Sequence, residues 1–539
     1  MGGNGVRVLR AGSDGLLAEV ADLDEALGLF ASLSEEPPAG VEELVPAART
    51  VLVRFDPLVT SADTLAADLA GRSLHGSGSA DGPVVEVPVH YDGADLAEVA
   101  RLCGLDPADV VRHHTASLWT VAFTGFAPGF GYLSGGDPSL DVPRRSEPRT
   151  TIPAGSVGLA GRFSGIYPRA SPGGWQLIGR TGLELWDARR RDPALLAPGM
   201  RVRFVDVGPA APASRDPAPQ PTPNEPAVVG APALEVLAPG PLTVVVDLGR
   251  PGRAAQGVAR SGAVDRGSFR RANRLVGNPS GTAALEVAAG GLHVRALADL
   301  VVAVTGAPAP LTLLNPDADA ESEVEVTGDA AFALDRGVEL RLGVPTRGMV
   351  SYLAVAGGVT AEAVLGSLAT DLLSGIGPAR LTTGDVVRIG RARESAAAVE
   401  PDPGPRLSAP DETTEIEVLL GPREDWFTPE AVERFLASAW TVTPRSNRVG
   451  LRLENEHPLT RSRTDELPSE GTVPGSIQVP PSGQPVVFTA DHPVTGGYPV
   501  IACVARHDLD RIGQVPVGGR VRFRAPAVDG PGAPRPSSA

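Results

Sequence analysis

Three segments of this chain end in similar short sequences, and this repetition limits the folds that the chain can adopt. The first closes with "PGMRVRFVD", the last with "VGGRVRFRA", and a related "TTGDVVRIG" lies between them. Before the first and last closings, Gly155–Ser156 corresponds to Gly475–Ser476, and Gly173–Trp175 corresponds to Gly496–Tyr498. Self-similar segments of this kind are typical of a duplicated structural unit. The repetition therefore predicts one β-rich unit copied to give three barrels.

Changes in composition divide the chain further. Helix-like and strand-like runs alternate over the first 80 residues, which indicates a small α+β domain, and short strands between Gly/Pro turns follow it. The segment 208–233 is rich in proline and alanine and predicts an extended linker, and 393–414 forms a weaker break. The sequence thus predicts an α+β domain over 1–82, barrels over 83–207, 234–392 and 415–526, and a disordered tail over 527–539.

The stretch "FTGFAPGFGYLSGGD", Phe123–Asp137, combines five glycines with four aromatic residues. We call it the glycine–aromatic loop. Glycine allows positive φ and lets another group approach the main chain closely. A tight hairpin with aromatic packing and a wall for a flat ligand both fit this pattern.

Charge and residue usage exclude several classes of function. A net charge of −16 argues against nucleic-acid binding, which depends on cationic contacts to phosphate. No apolar run is long enough to span a membrane, and the first residues lack the apolar core of a signal peptide, so a cytoplasmic location is expected. Two distant cysteines suggest neither a disulfide framework nor a zinc site. No metal site is predicted.

All 48 cationic residues are arginine, because the sequence contains no lysine. A lysine Schiff base, a P-loop lysine, a Ser–Lys dyad and a biotinylated lysine are therefore excluded within this sequence. Any anion must be bound by arginine, backbone N–H groups or a metal ion.

Neither a G-x-S-x-G elbow nor an H-E-x-x-H motif occurs. His113 and His114 end a predicted helix, where a protonated imidazole can act as a structural cap, so a catalytic role competes with a structural one. Basic runs such as Arg189–Arg191 fit a solvated face. In contrast, single arginines among Gly, Pro, Ser or Asn could hold a phosphate or carboxylate bidentately, and these are Arg149, Arg162, Arg423 and Arg448.

The longer motifs resemble a known family. "FTGFAPGFGYLSG", "PRTTIPAGSVGLAGRFSGIYPRASPGGWQLIGRT" and "LLAPGMRVRF" are similar to the B subunit of prokaryotic 5-oxoprolinase, the family also known as allophanate hydrolase subunit 1 or Kip-type kinase inhibitor. "GRPGRAAQGVARSGAVDRGSFRRANRLVGNP", "SNRVGLRLE" and "SEGTVPGSIQVPPSGQPVVFTADHPVTGGYP" are similar to the C subunit, or allophanate hydrolase subunit 2. The resemblance covers nearly the whole chain outside the linker. One departure is "HPV", His492–Val494, where the family usually has a polar run.

This resemblance implies cyclophilin-like β-barrels behind the small α+β domain. It implies ATP-dependent opening of 5-oxo-L-proline to L-glutamate, with Mg²⁺ accompanying the nucleotide and a separate 5-oxoprolinase A subunit, of the LamB/YcsF type, as partner. Phosphorylation of the lactam would activate it, which asks mainly for positioning and charge neutralisation. Biotin is not expected on a lysine-free chain, no membrane partner is expected, and a homo-oligomer is compatible with the sequence.

The glycine–aromatic loop would then be a wall for the flat ligand. The residues proposed as catalytic are His114, Arg149 and Arg448. The ligand-binding residues proposed before the linker are Phe126, Pro128, Gly129, Phe130, Ser156, Tyr167, Ser171, Gly173, Gly174 and Trp175. Those proposed after the linker are Asp265, Arg423, Ser446, Asn447, Glu470, Gln478, Gly496, Gly497 and Tyr498. If these assignments hold, Arg149→Ala and Arg448→Ala leave folding intact, and Arg448 lies in one concave site with Gly496.

Two other classes of function stay open at this level. One is another ATP-dependent amidolyase or carboxyltransferase component, as in urea carboxylase. The other is a non-catalytic regulator of a sensor kinase, or a scaffold that only activates the A subunit. A regulator needs no nucleotide, and a scaffold would tolerate mutation of the two arginines.

Overall fold

The computed structural model describes residues 5–74, 84–209, 230–316, 323–392 and 407–526. Most of the predicted linker at 208–233, most of the break at 393–414 and the tail at 527–539 lie outside the described residues. We call residues up to 209 the first part and residues from 230 onward the second part. The predicted fold class, mainly β with a small α+β domain at the start, is confirmed.

The α+β domain is an antiparallel four-stranded sheet covered by two helices, with strand order β1-β2-β4-β3. Its elements are β1 (Arg7–Arg10), β2 (Gly15–Glu19), α1 (Leu23–Glu35), β3 (Val41–Pro46), β4 (Thr50–Phe55) and α2 (Ala62–Gly71). Asp22 and Ser61 cap the two helices by accepting hydrogen bonds from backbone N–H groups of Glu25 and Thr64. Each helix therefore begins after a residue type that is typical of N-caps.

The first β unit follows and contains a seven-stranded sheet of order β12-β9-β10-β7-β6-β13-β5, with β8 and β11 as a separate pair. Its elements are β5 (Val84–Val89), α3 (Leu96–Cys103), α4 (Pro107–Ala116), β6 (Leu118–Thr124), β7 (Gly131–Ser134), β8 (Arg149–Ile152), β9 (Ser156–Ala160), β10 (Phe163–Ile166), β11 (Ser171–Gly173), β12 (Gln176–Arg180) and β13 (Arg201–Asp206). The glycine–aromatic loop connects β6 to β7 and continues past β7.

The second β unit consists of two sheets that share one hydrophobic core. Its elements are β14 (Ala231–Pro239), β15 (Leu242–Val246), α5 (Arg266–Leu275), β16 (Ala284–Ala288), β17 (Leu292–Ala296), β18 (Leu300–Gly306), β19 (Leu311–Leu314), β20 (Glu323–Val326), β21 (Ala331–Leu334), β22 (Glu339–Leu342), β23 (Val350–Val355), β24 (Val359–Thr360) and β25 (Val386–Ile389). The seven-stranded sheet has the order β20-β19-β22-β17-β14-β25-β24 and the five-stranded sheet the order β15-β16-β23-β18-β21. Helix α5 packs on the outer face of the smaller sheet.

The third β unit is a closed barrel of order β26-β33-β30-β31-β28-β27-β34, and β29 pairs with β32 beside it. Its elements are β26 (Thr413–Leu420), α6 (Pro429–Ala437), β27 (Ala439–Val442), β28 (Gly450–Glu454), β29 (Glu470–Gly471), β30 (Ser476–Gln478), β31 (Val486–Phe488), β32 (Thr495–Gly496), β33 (Val500–Val504), α7 (Leu509–Gly513) and β34 (Arg520–Arg524).

The predicted duplication is visible in the first and third β units. In the first unit, the closing strand β13 is parallel to β5 and antiparallel to β6. In the third unit, the closing strand β34 is likewise parallel to β26 and antiparallel to β27. The third similar ending, β25, pairs antiparallel with both β14 and β24, so the equivalence does not extend to it.

The first and second parts contact each other directly. Arg423 of the second part forms an ion pair with Glu19 of the α+β domain at 3.0 Å. The backbone N–H of Gly252 donates to Glu43 at 2.8 Å. These contacts place the α+β domain against both the second and the third β units. Among the described residues, none of the helices is long and apolar enough to cross a bilayer.

Cleavage of the chain within 208–233 is expected to leave the two parts associated. The linker composition predicts early proteolysis there, and the polar contacts between the parts do not depend on the linker. Limited proteolysis followed by size-exclusion chromatography at moderate salt would show one peak containing both fragments. If the protease first cuts outside 208–233, the predicted position of the linker is wrong. Two separate peaks would contradict a stable contact between the parts.

Candidate active site at the junction of the two parts

The aromatic side chains of the first β unit form a packed cluster. The Phe130 ring lies edge-to-face with Tyr167 and Trp175, at centroid distances of 5.2 and 5.4 Å. These three side chains are buried, whereas Phe126 is 39% exposed and has a φ of +65°. Most of the predicted ligand wall is therefore hydrophobic core, because aromatic side chains gain most by burying their large area. Phe126 is the member of this cluster that reaches the surface.

The glycines of the loop serve the contact between the two parts. Thr124 Oγ1 donates to the carbonyl of Ala255 at 2.6 Å, and the Gly129 N–H donates to the carbonyl of Gln256 at 3.2 Å. A Cβ on Gly125 would lie 1.9 Å from Thr495 Oγ1, so only glycine fits there. The N–H of Gly129, a residue proposed to bind the ligand, is therefore bonded to the second part. Pro128, its neighbour, lies in the same contact segment.

The opposite side of this junction carries the last motif of the second part. Thr495 begins the segment that continues to Gly496 and Tyr498, and Tyr498 is 46% exposed. Gln478 Nε2 donates to the carbonyl of Tyr498 at 3.0 Å, and a Cβ on Gly496 would lie 2.3 Å from that Nε2. The predicted residues Gln478, Gly496 and Tyr498 are thus brought together, with Gly497 between the last two.

Arg169, Arg250 and Asp371 form a polar cluster at the same junction, which we call the Arg–Asp cluster. Arg169 belongs to the first part, and its Nη2 donates across the junction to the carbonyl of Leu373 in the second part. Arg250 comes from the second part and is buried, with Nη2 donating to the carbonyl of Ala369. The two guanidinium groups therefore hold the same loop, which contains Asp371.

Several polar atoms of the Arg–Asp cluster are buried without a hydrogen-bond partner among the described residues. They are Nε and Nη1 of Arg250, Nε of Arg169 and Oδ2 of Asp371. Buried polar groups in folded proteins are nearly always paired, so unpaired ones need an explanation such as a bound water or a polar ligand. Two guanidinium donors and one carboxylate acceptor would match a ligand that has both acceptor and donor groups.

The carboxyl group of Asp371 is poised to change its protonation state near neutral pH. Burial, together with the nearby carboxylate of Asp491, raises its pKa to about 6. The Ser374 N–H, 2.9 Å from Oδ1, and the Arg250 charge act in the opposite direction. A strongly shifted carboxyl beside unpaired cations is typical of a functional site.

Arg448 occupies a different position from the one predicted. Its guanidinium group is buried and donates to both oxygens of Asp491, to Glu286 and to the carbonyl of Gly262. Both carboxylates raise its pKa, against the effect of burial. Arg448 therefore joins the second and third β units as part of their core, and the expectation that it is a site residue outside the core is wrong. Its contacts include none of the residues around Gly496.

Other predicted residues of the second part are also structural. Asp265 caps α5 by accepting the Ser268 N–H at 2.9 Å. Ser446 and Asn447 form the turn before β28, where their side chains accept backbone N–H groups. Arg423 is buried between Glu470 and Glu19, so it links the two parts.

His114 lies in the interior of the first β unit. Its Nδ1 is 2.7 Å from the Tyr91 hydroxyl and its Nε2 is 2.9 Å from Ser164 Oγ. Burial lowers its pKa to about 3, so the imidazole is neutral at physiological pH. The structure supports neither the predicted catalytic role nor the alternative of a protonated helix cap, because the ring is fully buried and burial disfavours its charged form.

The duplication accounts for the buried ring at position 114. Trp119 Nε1 donates to the carbonyl of His114 at 3.0 Å, and in the third unit Trp440 Nε1 donates to the carbonyl of Phe435 at 3.1 Å. His114 therefore occupies the position of Phe435, an aromatic position of the barrel core.

Arg149 is bound to the protein itself. It makes a bidentate pair with Asp95 at 2.8 and 2.9 Å, and Arg145 and the Leu177 N–H share that carboxylate. The arrangement fastens β8 to the start of α3, because both Nη atoms of Arg149 are bonded to Asp95. Arg162 is exposed and lies over the Phe163 ring at 5.7 Å.

The remaining predicted residues surround the aromatic cluster. A Cβ on Gly173 would lie 2.4 Å from the Tyr167 hydroxyl, so this glycine permits a close approach. The Gly174 carbonyl accepts the Arg145 N–H at 2.8 Å. Ser156 and Ser171 are buried in strands β9 and β11.

Sequence reasoning missed the Arg–Asp cluster. Arg250 lies in the motif "GRPGR", but nothing in that motif separates it from Arg253. Asp371 lies in "SLATDLLSGIGP", whose Gly/Ser turn after an acidic residue was the available signal. Arg169 follows Tyr167 within the motif of the first part.

Comparison with known proteins assigns both parts. Residues 6–196 match the family model of the carboxyltransferase domain, subdomain C and D, and residues 256–525 match that of subdomain A and B. The crystal structure of TTHA0988 aligns with a TM-score of 0.80 and 37% identity, covering 95% of this chain and 99% of that chain.

Curated proteins match each part separately. The chain is 36% identical to the C subunit of 5-oxoprolinase from Escherichia coli over 293 residues, 54% of this chain and 90% of that protein. It is 53% identical to the B subunit of 5-oxoprolinase from another Escherichia coli strain over 124 residues, 22% of this chain and 57% of that protein. Urea amidolyase of Saccharomyces cerevisiae is 34% identical over 314 residues, which are 54% of this chain but 16% of that protein.

Proposed function

The chain belongs to the carboxyltransferase-domain family, with subdomains C and D followed by subdomains A and B, and from this premise we propose that it is a component of an ATP-dependent 5-oxoprolinase in which the B and C subunits are fused. It would activate 5-oxo-L-proline for ring opening to L-glutamate, together with a separate A subunit. The observation that carries the proposal is that one chain contains the counterparts of both the B and the C subunits. In addition, the glycine–aromatic loop of the first part contacts the segment of the second part that begins at Thr495.

The chemistry accounts for the need for ATP. A lactam is a poor electrophile, so we propose that its carbonyl oxygen attacks the γ-phosphorus, forming a C–O–P bond and breaking the bond to ADP. Water then adds to the activated carbon, and the C–N bond breaks as the nitrogen takes a proton. A second water displaces phosphate at the resulting acyl phosphate, so each glutamate requires one ATP and two waters.

The Arg–Asp cluster is the proposed place for this activation. Arg169 and Arg250 would donate to the carboxylate and the developing phosphoryl group of the substrate, since arginine binds such planar or tetrahedral anions in bidentate fashion. Asp371 Oδ2 would accept the lactam N–H. Electrostatic preorganisation of this kind is often the largest contribution to catalysis. Phe126 and Tyr498, the exposed aromatics of the junction, would lie at its mouth.

Mg²⁺ is proposed as the companion of ATP. Magnesium is commonly bound by substrate phosphates, one or two carboxylates and several waters. The acidic residues near the cluster that could contribute a carboxylate are Asp371 and Asp247, since both oxygens of the nearby Asp491 are held by Arg448.

The proposal is tested by omission. The complete reaction contains this chain, the A-subunit protein from the same source, 5-oxo-L-proline, ATP and Mg²⁺, and we expect glutamate and ADP to form in equal amounts. Leaving out either protein or ATP should abolish glutamate formation. Glutamate release without ATP, or without this chain, would contradict the proposal.

A second candidate is a component of a urea carboxylase-like enzyme, favoured by the similarity to urea amidolyase. The sequence has no lysine, so a biotinyl-lysine would have to be supplied by another protein. This candidate predicts urea-dependent ATP consumption that also requires bicarbonate, a biotin carrier and a separate biotin-carboxylating component, and that 5-oxo-L-proline does not affect. A regulator of a sensor kinase predicts no substrate-dependent ATP consumption at all.

A further inference from the structure

A polar cavity lies where the α+β domain meets the second and third β units. Its volume is about 240 Å³. Five arginines line it, and these are Arg54, Arg260, Arg266, Arg270 and Arg506. Three acidic residues also line it, and these are Asp14, Glu42 and Asp510. Arginines therefore outnumber the acidic residues that line the cavity, although the net charge of the chain is −16.

Part of this charge is neutralised within the protein. Arg54 is paired with Asp14 and Glu43, each at 3.0 Å. Asp510 accepts the backbone N–H groups of Arg266 and Gly267, both at 2.9 Å, and so occupies the first turn of α5.

The remaining arginines of the cavity form no ion pair with a described residue. Within the described ranges, no carboxylate lies in ion-pair distance of the side chains of Arg260, Arg266, Arg270 or Arg506, and the Arg260 Nε donates to the carbonyl of Leu248. Burial, followed by the repulsion of Arg260 and Arg54, lowers the pKa of Arg266 to about 10. Like charges held together in a cavity are costly unless an anion joins them.

We propose that this cavity binds the di- or triphosphate group of a small ligand, through Arg260, Arg266 and Arg270. Arginine forms bidentate, charge-assisted bonds to phosphate. Pockets that enclose a drug-sized ligand usually exceed about 300 Å³, so the cavity would enclose the phosphates and leave an attached nucleoside outside.

The cavity borders the Arg–Asp cluster. Ser261 lines the cavity, and its Oγ donates to Asp491 at 2.6 Å. Asp491 is the carboxylate that helps to raise the pKa of Asp371. If the proposed function holds, the phosphates would therefore belong to ATP, delivered beside the substrate.

The test measures binding of pyrophosphate to the full chain by isothermal titration calorimetry. Arg266→Gln and Arg270→Gln, examined singly, should each weaken binding by roughly 10- to 100-fold, as expected for the loss of a bond between charged groups. Arg445→Gln is the matched control, because Arg445 is exposed and lies outside the cavity. Circular dichroism verifies folding, and Arg270, being exposed, can be replaced without disturbing the core.

Competition identifies the source of the phosphate. Displacement of pyrophosphate by ATP supports a nucleotide site, and binding of pyrophosphate without displacement by ATP supports a site for another oligophosphate ligand. No pyrophosphate binding, or equal affinity in wild type and both variants, would overturn the proposal. Because binding is measured without turnover, arginine-dependent binding in a chain that fails to make glutamate would refute the proposed function and leave this site standing.

Discussion

Replacing Asp371 with asparagine is expected to lower the ATP-dependent rate of glutamate formation by roughly 100- to 1000-fold, the usual cost of losing one preorganised contact to the reacting groups. The wild-type rate should rise with pH through about 6, because the raised pKa leaves the carboxyl group ionised only above that value. The Asn variant should lack this rise. Initial rates with the A subunit in excess, measured from pH 5 upward, test both expectations.

Urea unfolding distinguishes a direct loss of catalysis in Asp371→Asn from a loss of folding. The folded-state pKa of Asp371 is higher than the ordinary 3.8, so the wild type loses stability as pH rises from about 4 to about 6. The neutral amide has no such loss, and Asp371→Asn should unfold at the same or a higher urea concentration at pH 7. Asp335→Asn, an exposed position of the same β unit, serves as the control for activity. Full activity in Asp371→Asn would remove the Arg–Asp cluster from the mechanism.

Arg448→Ala is expected to destabilise the second part by about 3–5 kcal/mol, because it leaves the buried carboxylates of Glu286 and Asp491 without their cation. Arg445→Ala, three residues earlier and exposed, should change the unfolding free energy by less than about 0.5 kcal/mol. Urea denaturation followed by tryptophan fluorescence measures both.

A triple variant tests the cause of this loss. Arg448→Met combined with Glu286→Gln and Asp491→Asn removes all three charges, so it should recover part of the stability lost in Arg448→Ala. Arg448→Ala that unfolds like the wild type but cannot support glutamate formation would show that Arg448 is a site residue, as its sequence context predicts.

Local patterns in the sequence predicted the fold class and the equivalence of the first and third β units, but not the arrangement of the second unit. The similar closing segments predict that β13 and β34 are equivalent strands, and the helix caps at Asp22 and Ser61 depend on neighbours three residues away. The family resemblance depends on continuous motifs. Each of these properties is carried by residues that are close in the chain, which is why it can be read without the fold.

The candidate site depends on distant partners and could be predicted only in part. Arg448 stands in a polar turn that resembles a binding loop, but Glu286, 162 residues away, and Asp491, 43 residues away, make it a core residue. The same holds for Arg250 and Arg169, which meet only because the two parts pack together. Aromatic residues were correctly grouped, but their burial follows from packing against one another.

The central claim is that this chain transfers phosphate to the lactam oxygen before the ring opens. It is tested most directly with 5-oxo-L-proline labelled with ¹⁸O in the ring carbonyl, incubated with this chain, the A subunit, ATP and Mg²⁺. Mass spectrometry of the released inorganic phosphate should find one labelled oxygen for each glutamate formed, because the lactam oxygen leaves with the phosphoryl group and both oxygens of the new carboxylate come from water. Label retained in glutamate, with unlabelled phosphate, would contradict the account.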